Sequence, residues 1–191
     1  MRLRLAPIVV VLGVLALLLW RRELFTVARP GDQPAPLAIT SAELRWRPEL
    51  DVVLPAAPVG MIRLHAEGSV QVVHFWAPWE QHATVQALAL DSLGALLAGS
   101  DIRIAIVCFD PFPSVARWVR RARLRTPVLL DHDRKLRGTL PCPSIPYTYV
   151  IGRDGSIAVA QAGEVDWLAA STRSLLDSLA SAERDSRGHK L

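Results

Sequence analysis

VVHFWAPWEQHA, residues 72–83, is the stretch on which the fold turns. It runs apolar from Val72 to Trp76, breaks at Pro78 and re-enters near Glu80 with helical spacing, which reads as a strand, a tight turn and a helix. A helix start points unpaired N–H groups and partial positive charge into the turn before it. Such a turn stabilises a thiolate or another anion.

Downstream of this unit, Val85, Leu88, Ala89, Ser92, Leu93, Leu96 and Leu97 share one helical face, expected to point inward, and Gly99 with Ser100 ends the helix. IRIAIVCF (102–109) is apolar on both alternations apart from Arg103, as a strand buried on both faces should be. A second helix is expected over 114–125, with Val115, Trp118, Val119 and Ala122 inward. Its Arg117, Arg120, Arg121 and Arg125 read as a solvated face. PVLLD (127–131) is a short strand, and a helical turn follows it. A proline-punctuated loop leads to a strand at 147–151, an Asp154–Gly155 turn and a strand at 157–160, which is a hairpin signal. From Asp166 as N-cap, a last helix would carry Leu168, Leu175, Leu176 and Leu179 inward. Upstream, LDVVLP (50–55) and MIRLH (61–65) predict a strand pair. The order is that of an α/β domain with an antiparallel portion.

The 191 residues suffice for one domain and an appendage. The formal charge of +4 gathers at the start, where Arg2, Arg4, Arg21 and Arg22 against Glu23 contribute +3. That distribution leaves no footprint for nucleic acid. Between those arginines, residues 5–20 are uncharged; as a helix they would span roughly 24 Å, with Trp20 and the arginines at the headgroups. A cleaved signal peptide is the rival reading, but no small-x-small site follows the run, which favours an uncleaved anchor. The division is an anchor at 1–23, a proline-rich tether at 24–40, a domain at 41–184 and a polar tail at 185–191. Cys108 and Cys142 allow one internal disulfide at most and match neither a CxxC pair nor a zinc pattern. No catalytic triad, phosphate loop or dinucleotide fingerprint is present, and no cofactor is implied.

Two stretches carry a resemblance. FWAPW followed by Glu80, Gln81, His82 and Ala83 resembles the active-site stretch of thioredoxin-fold proteins, in particular membrane-anchored TlpA-like thiol–disulfide oxidoreductases, which read FWA-x-W-C-x-x-C. SIPYTYVIGRDGSI (144–157) is similar to their x-Pro-x-Thr-Phe-x-Ile-Asp-x-x-Gly-x-Ile. The likeness covers residues from about 70 to about 180. It implies a thioredoxin-like α/β fold, a central mixed sheet flanked by helices, after one N-terminal transmembrane helix. It also implies an extracytoplasmic (periplasmic) domain and a cis-proline at Pro146 beside the active-site turn.

The two cysteines of the family motif are absent here. Exchange needs a thiolate attacker and a second thiol to resolve the mixed disulfide; Glu80 and Ala83 supply neither. The favoured reading is therefore a tethered domain that keeps the groove, formed by Trp79, Glu80, Gln81, His82, Ile145 and Pro146, and binds an exported protein or peptide in it. Glu80 suits the helix start electrostatically, and Trp76 and Trp79 read as core and groove wall. One alternative is an oxidoreductase using Cys142, Cys108 or both, should the fold bring them to the same pole. Another is a metal carrier using Glu80, His82 and a third ligand such as Cys142, although two neighbouring donors alone do not assign a metal site. His74 is expected to be a hydrogen-bonded structural histidine; with a thiol to serve it would be a proton shuttle.

Overall fold

The computed structural model describes residues 33–181, apart from 42–44 and 81. In chain order the elements are β1 (Asp51–Ala57), β2 (Met61–His65), β3 (Val70–Phe75), α1 (Ala83–Leu96), β4 (Ile102–Cys108), α2 (Phe112–Ala122), β5 (Val128–Leu130), a 3₁₀ turn at Lys135–Gly138, β6 (Tyr147–Ile151), β7 (Ile157–Ala162) and α3 (Ala170–Ser181). Among the described residues no helix is long and apolar enough to cross a membrane. The expected spanning segment at 5–20 lies outside them, as does the tail at 185–191.

The sheet grows around β3, whose six residues are all buried. A strand with no solvated side needs partners on both edges and cover on both faces. β3 is parallel to β4 on one edge and antiparallel to β6 on the other, and the full order is β2-β1-β5-β4-β3-β6-β7. The continuous apolar runs became the parallel strands β3, β4 and β5, while both hairpins became antiparallel flanks. On one face Val72, Trp76, Ile106 and Val150 pack against Ala87 and Leu90 of α1, Val115 and Val119 of α2, and Leu176 of α3. On the other face Val73, Phe75, Val107, Leu129 and Tyr149 meet Leu50, Leu54, Leu64, Leu136 and Leu140, which come from the first hairpin, the chain leading into it, the 3₁₀ turn and the proline loop. All three described helices therefore lie on one side.

Three expectations are corrected. α1 buries Ala83, Gln86, Ala87, Leu90, Asp91 and Leu93, whereas Val85, Leu88 and Leu96 are exposed. The small Ala83 and Ala87 bring the helix close to the sheet, and the two buried polar residues are satisfied internally. The last helix starts at Ala170, leaving Leu168 exposed; the Asp166 carboxylate caps the preceding turn, accepting from Leu168 N–H and Ala169 N–H. Finally, residues 34–40 are not a free tether. Leu37 is buried, Ala35 bridges to Val165, and Thr40 N–H donates to the Ala158 carbonyl.

Asp91 shows how a buried acid can hold a fold together. Its Oδ1 accepts from Arg125 N–H, Thr126 N–H and the Thr126 hydroxyl, and its Oδ2 from Arg125 Nε, tying α1 to the entry of β5. Burial opposes the charge, but the bonds from Thr126 and Arg125 outweigh it and hold the carboxyl below its usual range. Asp91→Ala strands these donors and is expected to cost about 2–4 kcal/mol, read as a lower urea midpoint at pH 7. The wild-type advantage is intact above about pH 4 and fades as pH falls through the lowered value in the folded state.

Candidate functional site

Strand register brings the two landmark stretches together. Phe75, the last residue of β3, pairs with Tyr147, the first of β6, so the turn after Phe75 and the loop before Tyr147 are neighbours. The Ile145–Pro146 peptide is cis. A third segment joins them, because Gly163, just beyond β7, donates its N–H to the Pro146 carbonyl at 3.0 Å. The site thus has three walls: the turn at 76–82, the proline loop and residues 163–164.

Within the turn the tryptophans divide their roles. Trp76 is buried, its ring 4.4 Å from that of Trp118 and its indole N–H donating to the Ala83 carbonyl at 2.9 Å. Trp79 is 70% exposed. The helix begins at Ala83, three residues later than expected, and Glu80 bridges the gap by accepting from His82 N–H at 3.0 Å. Ala83 is buried, His82 and Glu80 are half-buried, and Gln81 lies outside the described residues. His82 Nδ1 is hydrogen-bonded to Glu164 Oε1. Nothing local in the sequence marks Glu164, since the two are 82 positions apart. Only the sheet topology, which returns β7 to this end, delivers it. Gln86 fixes the segment, its Oε1 accepting from Val165 N–H at 3.2 Å and Trp167 Nε1–H at 2.9 Å.

The two thiols stand apart from each other. Cys108 packs with the helical face of the sheet and Cys142 against the opposite face, and neither is in a disulfide. Burial pushes Cys108 up to about 12, with its Sγ–H donating to Asp110 Oδ2 at 3.4 Å. Burial likewise pushes Cys142 up to about 11 despite the pull of Arg134; its Sγ–H donates to the Ser144 carbonyl at 3.0 Å. Cys142 opens onto a cavity of about 420 Å³ with Arg134, Arg137, Tyr147 and Tyr149 in its lining. A low-pKa, accessible thiolate is what exchange requires, and both environments act against it.

A profile of the AhpC/TSA family matches residues 52–160, more than half of the chain. The chain belongs to that family. AhpC/TSA membership agrees with the solved structures that share its fold. A thioredoxin-family thiol:disulfide interchange protein of Chlorobium tepidum superposes with a TM-score of 0.62 at 13% identity, over 70% of this chain and 96% of that one. A DsbF homologue of Corynebacterium diphtheriae gives 0.60 at 17% identity, over 82% and 98%. The exposed lipoprotein thioredoxin Etrx1 of Streptococcus pneumoniae gives 0.57 at 21%, over 69% and 98%. No curated protein matches the chain. At these identities the superpositions establish the thioredoxin-like fold, and the kinship read from residues 72–83 and 144–157 stands.

In this AhpC/TSA-family chain residues 80 and 83 present a carboxylate and a methyl group. Behind them His74 is fully buried, with Nδ1 3.0 Å from Thr148 Oγ1 and its ring edge-on to Trp167 at 5.3 Å. Its Nε2 has no hydrogen-bond partner among the described residues. Burial lowers its pKa to about 3, so it is neutral at pH 7.

Proposed function

We propose that this chain is a membrane-tethered, extracytoplasmic thioredoxin-like domain that does not exchange disulfides and instead holds an extended segment of an exported protein between Trp79 and the proline loop. One observation carries the reading: with Trp79 exposed and Phe75 paired to Tyr147, the backbone N–H and carbonyl of Ile145 make no hydrogen bond within the described residues. An open main-chain donor and acceptor ahead of a strand is what an added strand pairs with, and an exposed indole supplies the apolar contact. The elevated thiols argue the same way, since removing exchange chemistry leaves binding as the use of the groove. The membrane anchor would be the apolar segment at 5–20, and the expected role is chaperone-like or in assembly.

A permanently unfolded, carboxymethylated polypeptide carries no thiol and so probes binding alone. It is expected to bind the full chain in micelles, with Trp79→Ala weakening it by about tenfold and Cys142→Ser leaving it unchanged. Neither wild type nor Cys142→Ser should reduce insulin above background. Insulin reduction by wild type that disappears in Cys142→Ser would replace this reading with the oxidoreductase one.

A further inference from the structure

Glu80, His82 and Glu164 each offer one ligand atom, and those atoms lie within 4.8 Å of one another. We infer that they form a binding site for one divalent first-row ion, zinc foremost, at the place where TlpA-like motifs keep their cysteines.

The donor set is one imidazole nitrogen and two carboxylate oxygens. Three ligands of this type with a remaining position for water suit Zn²⁺ or Mn²⁺, and the lack of sulfur disfavours Cu⁺. Cys142, the third ligand considered from sequence, packs against the opposite face of the sheet and is replaced in this role by Glu164.

Charge supports a cation here. No Lys or Arg among the described residues forms an ion pair with Glu80 or Glu164; His82 alone faces them. Two carboxylates so close repel each other, and a single imidazole offsets at most one of the two charges. The N-terminus of α1 points positive charge at the same spot and opposes a cation, so two carboxylates rather than one are needed to hold it.

Rigidity supports it as well. The Glu164 side chain is only 15% exposed, its carbonyl accepts from Ala35 N–H at 3.1 Å, and the next residue's N–H is held by Gln86. Glu80 is fixed by the His82 N–H. His82 Nδ1 already faces Glu164, so an ion needs only to part the pair to coordination distance. The inference is independent of what the groove binds.

Zinc titration of the metal-stripped full chain in micelles, in competition with a chromogenic chelator at pH 7.5, tests it. The expected result is one equivalent bound with a Kd on the order of micromolar. His82→Ala and Glu164→Gln should each weaken it by about tenfold or more, and Glu80→Gln by several-fold, while His132→Gln, outside the cluster, should change nothing. X-ray absorption of the loaded protein should give a shell of nitrogen and oxygen only. The inference is overturned by failure to compete with the chelator, by equal binding in the His82 and Glu164 variants with circular dichroism unchanged, or by sulfur in the shell.

Discussion

Placing sulfur at positions 80 and 83, Glu80→Cys together with Ala83→Cys, is expected to raise insulin reduction on the order of a hundredfold above wild type. The turn is already arranged for it. Residue 80 lies just ahead of α1, and the His82 N–H that now donates to the Glu80 carboxylate becomes free to donate to a thiolate. That bond, with the positive end of the helix, lowers a thiol pKa below about 8.5. Position 83 is almost fully buried, which suits a thiol that attacks from within rather than one that meets the substrate first. Glu80→Cys alone should give long-lived mixed disulfides and little turnover, because no resolving thiol follows. Loss of two mass units on oxidation of the double variant, without insulin reduction, would mean that the groove does not receive a disulfide substrate. No such mass loss would mean that the turn does not hold residues 80 and 83 within bonding distance.

Stability should fall steeply in mild acid, and His74 is the reason. Its pKa is about 3 in the folded state and 6.5 when exposed. Between those values the unfolded chain binds a proton that the folded chain refuses, so the folded state loses about 1.4 kcal/mol per pH unit on acidification. The penalty is absent above about pH 6.5 and reaches roughly 3 kcal/mol by pH 4.5. Burial is the cause: the ring sits against Trp167 with Nε2 enclosed and has no charged partner among the described residues to offset protonation. The carboxylates held low, Asp91 and Asp154 among them, add to the loss only below about pH 4, so the upper window isolates the histidine. His74→Asn keeps a polar group for Thr148 and does not titrate. Its urea midpoint should be nearly flat from pH 4.5 to 7, and an unchanged slope there would assign the acid sensitivity elsewhere.

What could be read from the sequence follows from how far each signal reaches. Residues 72–76 announced a strand and Pro78 a turn because apolar runs and prolines act within a few positions. The strands at 102–108 and 147–151 were legible for the same reason. The inner face of α1 was not, because Gln86 and Asp91 look like surface residues until Trp167 and Thr126 arrive to satisfy them. Leu168 looked like a helix residue until the Asp166 cap delayed the start to Ala170. The domain's first residues were hidden by prolines that suggest a linker, although Leu37 is buried and its N–H donates to Thr172 Oγ1. At the site, the lack of cysteine at 80 and 83 was plain, whereas Glu164 could be found only by knowing where β7 ends.

The docking of Ala35 beside Glu164 has a mechanical consequence. Its N–H holds the Glu164 carbonyl, and its own carbonyl receives Asp166 N–H, so the chain enters the domain as a short clamp around this acid. Any pull transmitted along the polypeptide from ahead of Pro34 therefore loads the Glu164 wall first, one hydrogen bond from the side chain that faces His82. Trimming the protein at residue 36 would remove that clamp while leaving every strand of the sheet in place.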